Sequence, residues 1–271
     1  MPRKRRIGWI GLGSIGTQMV KRLIAAGEEV MVYPRGVGLT DVRTAGAGQC
    51  PDYPALASQS DILGLCVYDD EQVCDILLRQ GALAALAPGS TLIIHTTGSP
   101  DVMRNIAQRA PAGVDVLDAC FSGGPADVAA ATLTLMVGGE EAALDRVRVL
   151  LGHYAGRIVR VGPTGDGQKL KLINNLLFAT NLMNAAQAVA LAERQGFTPH
   201  LIAELMETCS GASYALKLLA HPAPSAIVMQ AIRPYLEKDV ALAMSNADRA
   251  GLDVAPFAAT AAYFARPEVA E

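Results

Sequence analysis

Ile7-Gly8-Trp9-Ile10-Gly11-Leu12-Gly13-Ser14-Ile15-Gly16 decides the fold. The apolar run 6–11 predicts a strand. The spacing G-x-G-x-x-G predicts a tight turn, and the periodicity of 15–26 a helix that Gly27 closes. Residues 29–33 predict a second strand, which completes a strand–turn–helix–strand unit. In that context the backbone of Gly11, Leu12, Gly13, Ser14, Ile15 and Gly16 can approach a pyrophosphate at the positive end of the helix, as in a dinucleotide-binding domain. A tight turn without a ligand is the plain alternative.

Outward from this unit, strand-like runs fall at 62–67, 91–94, 114–118, 133–137 and 157–161, with helical stretches at 71–79, 100–109 and 140–151. Strands alternating with helices predict βαβ units around a mostly parallel sheet. After Gly162-Pro163 no strand pattern remains. We therefore expect an α/β Rossmann-type dinucleotide-binding domain over 1–163, then an all-helical substrate and dimerisation domain over 164–271. A long helix over 166–195 joins them. It is apolar nearly all round, which predicts burial on several sides, including by a second subunit.

The chain has 271 residues, 51% hydrophobic, 18% charged, with a formal net charge of −3. That composition excludes collagenous and disordered classes and argues against a partner held through nucleic-acid phosphates. The five cysteines form no C-x-x-C pair and the four histidines no ligand spacing, so no metal site is expected. No window supplies the ~20 apolar residues of a membrane helix. The basic start 1–6 runs into glycine-rich sequence rather than a signal core, and the expectation is a cytoplasmic protein.

Three further stretches carry chemistry. The second strand ends Val32-Tyr33-Pro34-Arg35, with no carboxylate before Asp41 to hold a ribose 2′-hydroxyl. Arg35 in its place suits a 2′-phosphate, which favours NADP over NAD; a solvated loop arginine is the alternative. Asp118-Ala119-Cys120-Phe121-Ser122-Gly123-Gly124-Pro125 reads as a strand leaving into a loop of small residues. Its N–H groups and the Ser122 hydroxyl suit a carboxylate, or simply make a capped turn. Gly165-Asp166-Gly167-Gln168-Lys169-Leu170-Lys171-Leu172-Ile173-Asn174-Asn175 opens the long helix, with Lys171 and Asn175 on one face. Apolar flanks place Lys171 in a partly dehydrated setting suited to proton transfer, against the usual fate of a snorkelling surface lysine; Lys169 is its solvent-facing neighbour.

With Thr132-Leu133-Thr134-Leu135-Met136-Val137-Gly138-Gly139 and a late Lys238-Asp239, these motifs resemble, in order, the β-hydroxyacid dehydrogenases, such as 3-hydroxyisobutyrate dehydrogenase and tartronate semialdehyde reductase. The resemblance spans about residues 7–256, and its most specific part is G-x-G-x-x-x-K-x-x-N-N. It implies Lys171 as general acid/base and Asn175 as orienting the substrate hydroxyl. It implies Ser122, Gly123 and Gly124 on the substrate carboxylate. Val67, Thr97 and Lys238 would contact the cofactor, residues 210–214 would lie near the substrate, and Arg35 matches NADP-preferring members. Departures are Cys120-Phe121 for Pro-Val, Gly98 for isoleucine, Ile15 for methionine and a shorter tail after Lys238.

The expected activity is hydride transfer between NADP (or NAD) and a small β-hydroxy acid or its semialdehyde, in a homodimer or homotetramer. Two alternatives stand beside it. An imine reductase of the same fold usually lacks the lysine, and a non-catalytic NADP-binding protein would not need Ser122, Lys171 and Asn175 together.

Overall fold

The computed structural model describes residues 5–219 and 225–265. The chain divides into two compact units, Met1–Lys171 and Leu172–Glu271. The boundary read from sequence lay at 163/164, where strands stop. By contacts it falls inside the long helix, because that helix's first turn packs with the sheet.

In the first unit, β1 (Arg6–Ile10) is central. It is flanked by β2 (Glu29–Val32), β3 (Gly48–Gln49), β4 (Ile62–Leu65), β5 (Thr91–Ile94), β6 (Asp115–Ser122), β7 (Leu133–Gly138) and β8 (Ala155–Gly162) in the order β3-β2-β1-β4-β5-β6-β7-β8. Sequential strands run outward from β1 to β3, and β4 returns to the other side of β1. The chain direction thus reverses at the carboxyl end of β1, where ligands of such sheets bind. All neighbours are parallel except β6 and β7, where Phe121 opposes Leu135 and Ser122 opposes Thr134. The short link from Ser122 to Leu133 leaves no room for a parallel crossover.

Successive strand residues point to opposite faces, and helices cover both. On one face Ile7, Trp9, Ile93 and Leu117 pack with Met19, Val20 and Leu23 of α1 (Ser14–Ala25) and Leu144, Val147 and Leu151 of α7 (Glu141–Leu151). On the other, Ile10, Leu63, Leu92 and Ile94 pack with Leu56 of α3 (Tyr53–Ser58) and Met103 and Ile106 of α5 (Pro100–Arg109). The short α2 (Leu39–Ala45), α3, α6 (Pro125–Ala129) and β3 gave no periodic signal. They span too few residues to repeat one. The predicted helix at 71–79 is α4 (Asp70–Cys74) continuing into a π-helical turn, Asp75–Arg79.

After Gly162 the described residues contain helices and no strand. These are α8 (Asp166–Arg194), α9 (Pro199–Met206), α10 (Tyr214–Leu219), α11 (Ser225–Arg249) and α12 (Ala258–Ala265). Leu172, Leu176, Ala179, Leu182, Ala185 and Val189 form one buried stripe of α8. They pack with Leu216, Leu236, Val240, Ala243 and Phe264. The helical domain itself covers one of the several sides expected to be buried. Leu170, Ile173, Leu177 and Leu191 are exposed in the single chain, lying off the stripe.

Candidate active site

The turn after β1 has the geometry its glycines predict. Gly11 has φ +98°, and a Cβ there would meet the Cys66 carbonyl oxygen at 2.0 Å. A Cβ on Gly16 would lie 2.1 Å from the Gly11 oxygen, so the helix start closes tightly on the turn. Gly13 differs: nothing lies within 4 Å of the position its Cβ would take. Gly13 is also the N-cap of α1, with no side-chain cap and no acid in the first turn. The helix therefore presents its first N–H groups and positive end to open space, which fits a dinucleotide pyrophosphate. Leu12 is buried in the core, so only its backbone faces this opening.

A buried aromatic stack supports the turn from below. The Trp9 indole N–H donates to the Gly11 oxygen at 3.1 Å, and its ring stacks on His95 with centroids 5.6 Å apart. His95 Nδ1 lies 2.7 Å from the Ala119 carbonyl and Nε2 3.0 Å from the Tyr154 hydroxyl. A carbonyl can only accept, so Nδ1 carries the proton and Nε2 accepts from Tyr154. Burial holds the imidazole down to about 4, so it is neutral. Burial likewise pushes the neighbouring Cys66 thiol up to about 12 and the Tyr154 phenol well above its ordinary range. This group is scaffold, not acid–base machinery.

Around the opening, Arg35 follows β2 on an exposed loop, and its N–H donates to the Tyr33 carbonyl at 2.7 Å. The Tyr33 and Tyr53 rings pack beside it with centroids 4.0 Å apart. Val67 lies two residues beyond the end of β4 rather than at it. Its Cγ1 would be 3.1 Å from a Gly11 Cβ, and its N–H donates to Thr96 Oγ1 at 2.9 Å. Thr97 is half-buried in the loop after β5. Next to it stands Gly98, where a Cβ would fall 1.8 Å from Asp70 Oδ1; the other Asp70 oxygen accepts from Ser99 N–H at 2.7 Å. Asp70 thus occupies the space an isoleucine would need, which accounts for that departure from the family pattern.

The serine motif is mostly strand, not loop: β6 runs through to Ser122, because Phe121 and Ser122 pair with β7. Gly124 needs a second correction. Its N–H donates to its own Asp127 carboxylate at 2.7 Å, so a substrate carboxylate would compete with Asp127 there.

Asp118, wholly buried on β6, holds the start of α8. Its Oδ1 accepts from Gly165 N–H at 2.7 Å and its Oδ2 from Gln168 N–H at 2.9 Å. Burial raises its carboxyl to about 6 despite those two donors. Gly167 permits the approach, since a Cβ there would meet Asp118 oxygens and the Met136 carbonyl at 2.7 Å. One turn on, Lys171 is half-buried, with Nζ 5.9 Å from the centroid of the Phe121 ring. The lysine thereby reaches the end of β6, where Ser122 follows Phe121. Its dehydrated setting was expected from both flanks. Only Leu172 is buried, while Leu170 and Ile173 are exposed, and the apolar wall is Phe121 instead. Lys169 is exposed and paired with Asp166 at 2.6 Å, as expected of the solvent-facing neighbour.

Within the helical unit, Asn175 is buried and its amide is already engaged. Its Nδ2 donates to Asp239 Oδ2 at 2.5 Å, and its Oδ1 accepts from Asn174 at 3.0 Å. Asp239 Oδ1 binds Lys238 Nζ at 2.8 Å. A cleft of about 460 Å³ lies against Ser213, Tyr214 and Lys217.

Residues 6–162 match the family model described as the NAD binding domain of 6-phosphogluconate dehydrogenase. Residues 165–269 match that described as NAD-binding of NADP-dependent 3-hydroxyisobutyrate dehydrogenase. The chain belongs to the β-hydroxyacid dehydrogenase family. It is 34% identical over 217 residues to the NAD-dependent L-serine dehydrogenase of Pseudomonas aeruginosa, covering 79% of this chain and 73% of that one. It is 31% identical over 220 residues to the 2-(hydroxymethyl)glutarate dehydrogenase of Eubacterium barkeri, covering 80% and 73%. A solved structure of 3-hydroxyisobutyrate dehydrogenase from Mycobacterium tuberculosis with L-serine superposes with a TM-score of 0.84 at 27% identity, covering 97% of this chain and 93% of that one.

As a β-hydroxyacid dehydrogenase, the protein is a nicotinamide-dependent oxidoreductase acting on CH–OH groups. Within the first unit of this β-hydroxyacid dehydrogenase, the fold brings the glycine turn, Val67 and the Thr96–Thr97 loop together, and Lys171 to the end of β6. The sequence reading missed Asp118, Gln168, Asp70 and the partnership of Asp239 with Asn175. A signal existed for Asp118: a carboxylate inside a run read as buried strand must find donors. Among the described residues no cluster of His, Cys, Asp and Glu could hold a metal.

Proposed function

We propose that this dehydrogenase transfers hydride between NADP(H) and a small β-hydroxy acid or its semialdehyde, with Lys171 as the general acid/base. One observation carries the reading: Lys171 Nζ is held over the ring that immediately precedes Ser122. The α1 N-terminus and Gly13 hold the pyrophosphate, and Val67 and Thr97 border the cofactor. Arg35, in the place of an acid, pairs with a 2′-phosphate. The bound nicotinamide supplies or accepts the hydride. The Ser122 hydroxyl and Gly123 N–H hold the substrate carboxylate. Lys171 gives its Nζ proton to the carbonyl oxygen as it gains alkoxide character, and in the oxidative direction takes the hydroxyl proton. By resemblance, Asn175 orients the substrate hydroxyl and Lys238 reaches the cofactor. Imine reduction on the same fold is disfavoured by Lys171.

The test is nicotinamide absorbance with NADP and NAD against 3-hydroxyisobutyrate, L-serine, 2-(hydroxymethyl)glutarate and a cyclic imine, with Lys171→Ala in parallel. Turnover of a hydroxy acid that falls at least about 100-fold in the variant supports the reading. Turnover of the imine alone, surviving in the variant, overturns it. The exposed apolar residues Ile173, Leu177 and Leu191 on α8 support a homodimer or homotetramer, which light scattering tests. The five free thiols support a cytoplasmic location.

A further inference from the structure

Gln168 lies in the first turn of α8, three residues ahead of Lys171, and is wholly buried. Its amide is used at both ends. Nε2 donates to the Thr96 carbonyl at 2.8 Å, and Oε1 accepts from Gly98 N–H at 2.8 Å. The two partners fix the amide's orientation, because a carbonyl cannot donate and an N–H cannot accept. They also sit on either side of Thr97, so one side chain clamps the backbone around that residue. The N–H of Gln168 meanwhile donates to Asp118, four positions before Ser122 on β6.

Gln168 thus ties three segments together: the Thr97 loop, the strand ending in Ser122 and the helix carrying Lys171. Asp118 anchors the start of α8 to the sheet through two backbone N–H groups, and Thr164 adds a hydroxyl to the Val116 carbonyl at 3.2 Å, so the join has ties that do not involve the Gln168 side chain. What it adds is a fixed relation between the helix and the Thr97 loop. A leucine would fill the volume as well, but would leave the Gly98 N–H and Thr96 carbonyl without their buried partner.

We propose that Gln168 is a positioning residue for hydride transfer, holding the Thr97 loop in register with the turn of α8 that presents Lys171. The proposal rests on the assignment of Thr97 to the cofactor and Lys171 to proton transfer. It concerns the separation of reacting groups, for which a shift of about 1 Å costs about 100-fold in rate.

Gln168→Leu tests it in the full chain, with Lys171→Ala as reference and carbinol-deuterated 3-hydroxyisobutyrate or L-serine, whichever turns over faster. Hydrogen exchange at Gly98 should quicken in Gln168→Leu, and the dissociation constant for NADPH should rise severalfold by fluorescence. The value of kcat should fall about 100-fold. The deuterium isotope effect on kcat should grow, because the chemical step becomes more rate-limiting. Loss of the Gly98 hydrogen bond is common to both roles, but a role in packing alone predicts a kcat loss matching the loss of folded protein, with the isotope effect unchanged; that result overturns the proposal. Gln168→Met, unbranched and without hydrogen-bonding groups, is read the same way if the leucine variant does not fold. If Lys171→Ala keeps full turnover, the site assignment falls and the proposal with it. If Lys171→Ala is inactive while Gln168→Leu matches the native enzyme, only the positioning role falls.

Discussion

Replacing Asp118 with asparagine should make the protein more sensitive to acid, and the size of the effect follows from two buried groups. The Asp118 carboxyl is raised from 3.8 to about 6 by burial. Between those values the folded chain keeps a proton that the unfolded chain has released. Acidification therefore stabilises the fold through Asp118; the contribution is full below 3.8 and lost as pH rises through about 6. The gap is worth about 3 kcal/mol. His95 acts in the opposite sense. Its imidazole is lowered from 6.5 to about 4, so the unfolded chain takes up a proton that the folded chain refuses. Its stabilisation is full above 6.5 and is lost as pH falls through about 4, again by about 3 kcal/mol. In the native protein the two nearly offset each other. In Asp118→Asn the His95 loss stands alone, so from pH 7 to pH 4 the variant should lose about 2 kcal/mol more than the native chain. It should also show a pH-independent deficit of about 1–3 kcal/mol, since an amide accepts from only one of the two N–H groups. Urea unfolding followed by circular dichroism at both pH values reads the difference, and exposed carboxylates common to both proteins cancel. His95→Gln should show the reverse, losing less on acidification than the native chain. Parallel stability–pH curves for all three proteins would refute the reasoning.

Gly13→Ala should fold normally and bind NADPH at least about tenfold more weakly by fluorescence, whereas Gly11→Ala should be destabilised by several kcal/mol in thermal melts. The first meets open space and the second a carbonyl oxygen at 2.0 Å with φ +98°. Arg35→Asp should move the ratio of NADP to NAD affinity toward NAD by about 10–100-fold in calorimetric titrations, the worth of a charge-assisted contact and its reversal. Phe121→Leu should lower kcat/KM about two- to fivefold, the roughly 0.5–1 kcal/mol of an ammonium over an aromatic face. Phe121→Tyr should keep the native value.

The glycine turn and the long helix were legible because each rests on a local pattern. A glycine spacing needs only its flanking strand and helix, whereas the apolar wall beside Lys171 comes from Phe121 on β6 and was not legible from the lysine's neighbours. For Asp118 the need for donors was legible but the donors were not, and Gln168 gave no signal at all, because their partners lie on other elements, from Thr96 to Gly165, and sequence separation hides such pairings. Gly124 shows the opposite failure. Its N–H looked available by analogy, but Asp127, three residues on, takes it. The exposed side of α8 could not be singled out for a different reason: apolar composition shows what can be buried, and only packing shows which face its own domain covers.

Gly98 and Asp70 carry a consequence for how this chain can change. No left-handed backbone forbids a side chain at 98; the obstacle is the Asp70 carboxylate, 1.8 Å from where a Cβ would stand. Isoleucine at 98 therefore requires the Asp70 carboxylate to swing aside or to be replaced by something smaller, and either step removes the acceptor of the Ser99 N–H. Substitutions at these two sites are ordered, and neither half-way chain is equivalent to the other. Glycine first followed by aspartate is an open path, while the reverse order passes through a chain whose Asp70 is displaced from the Ser99 N–H.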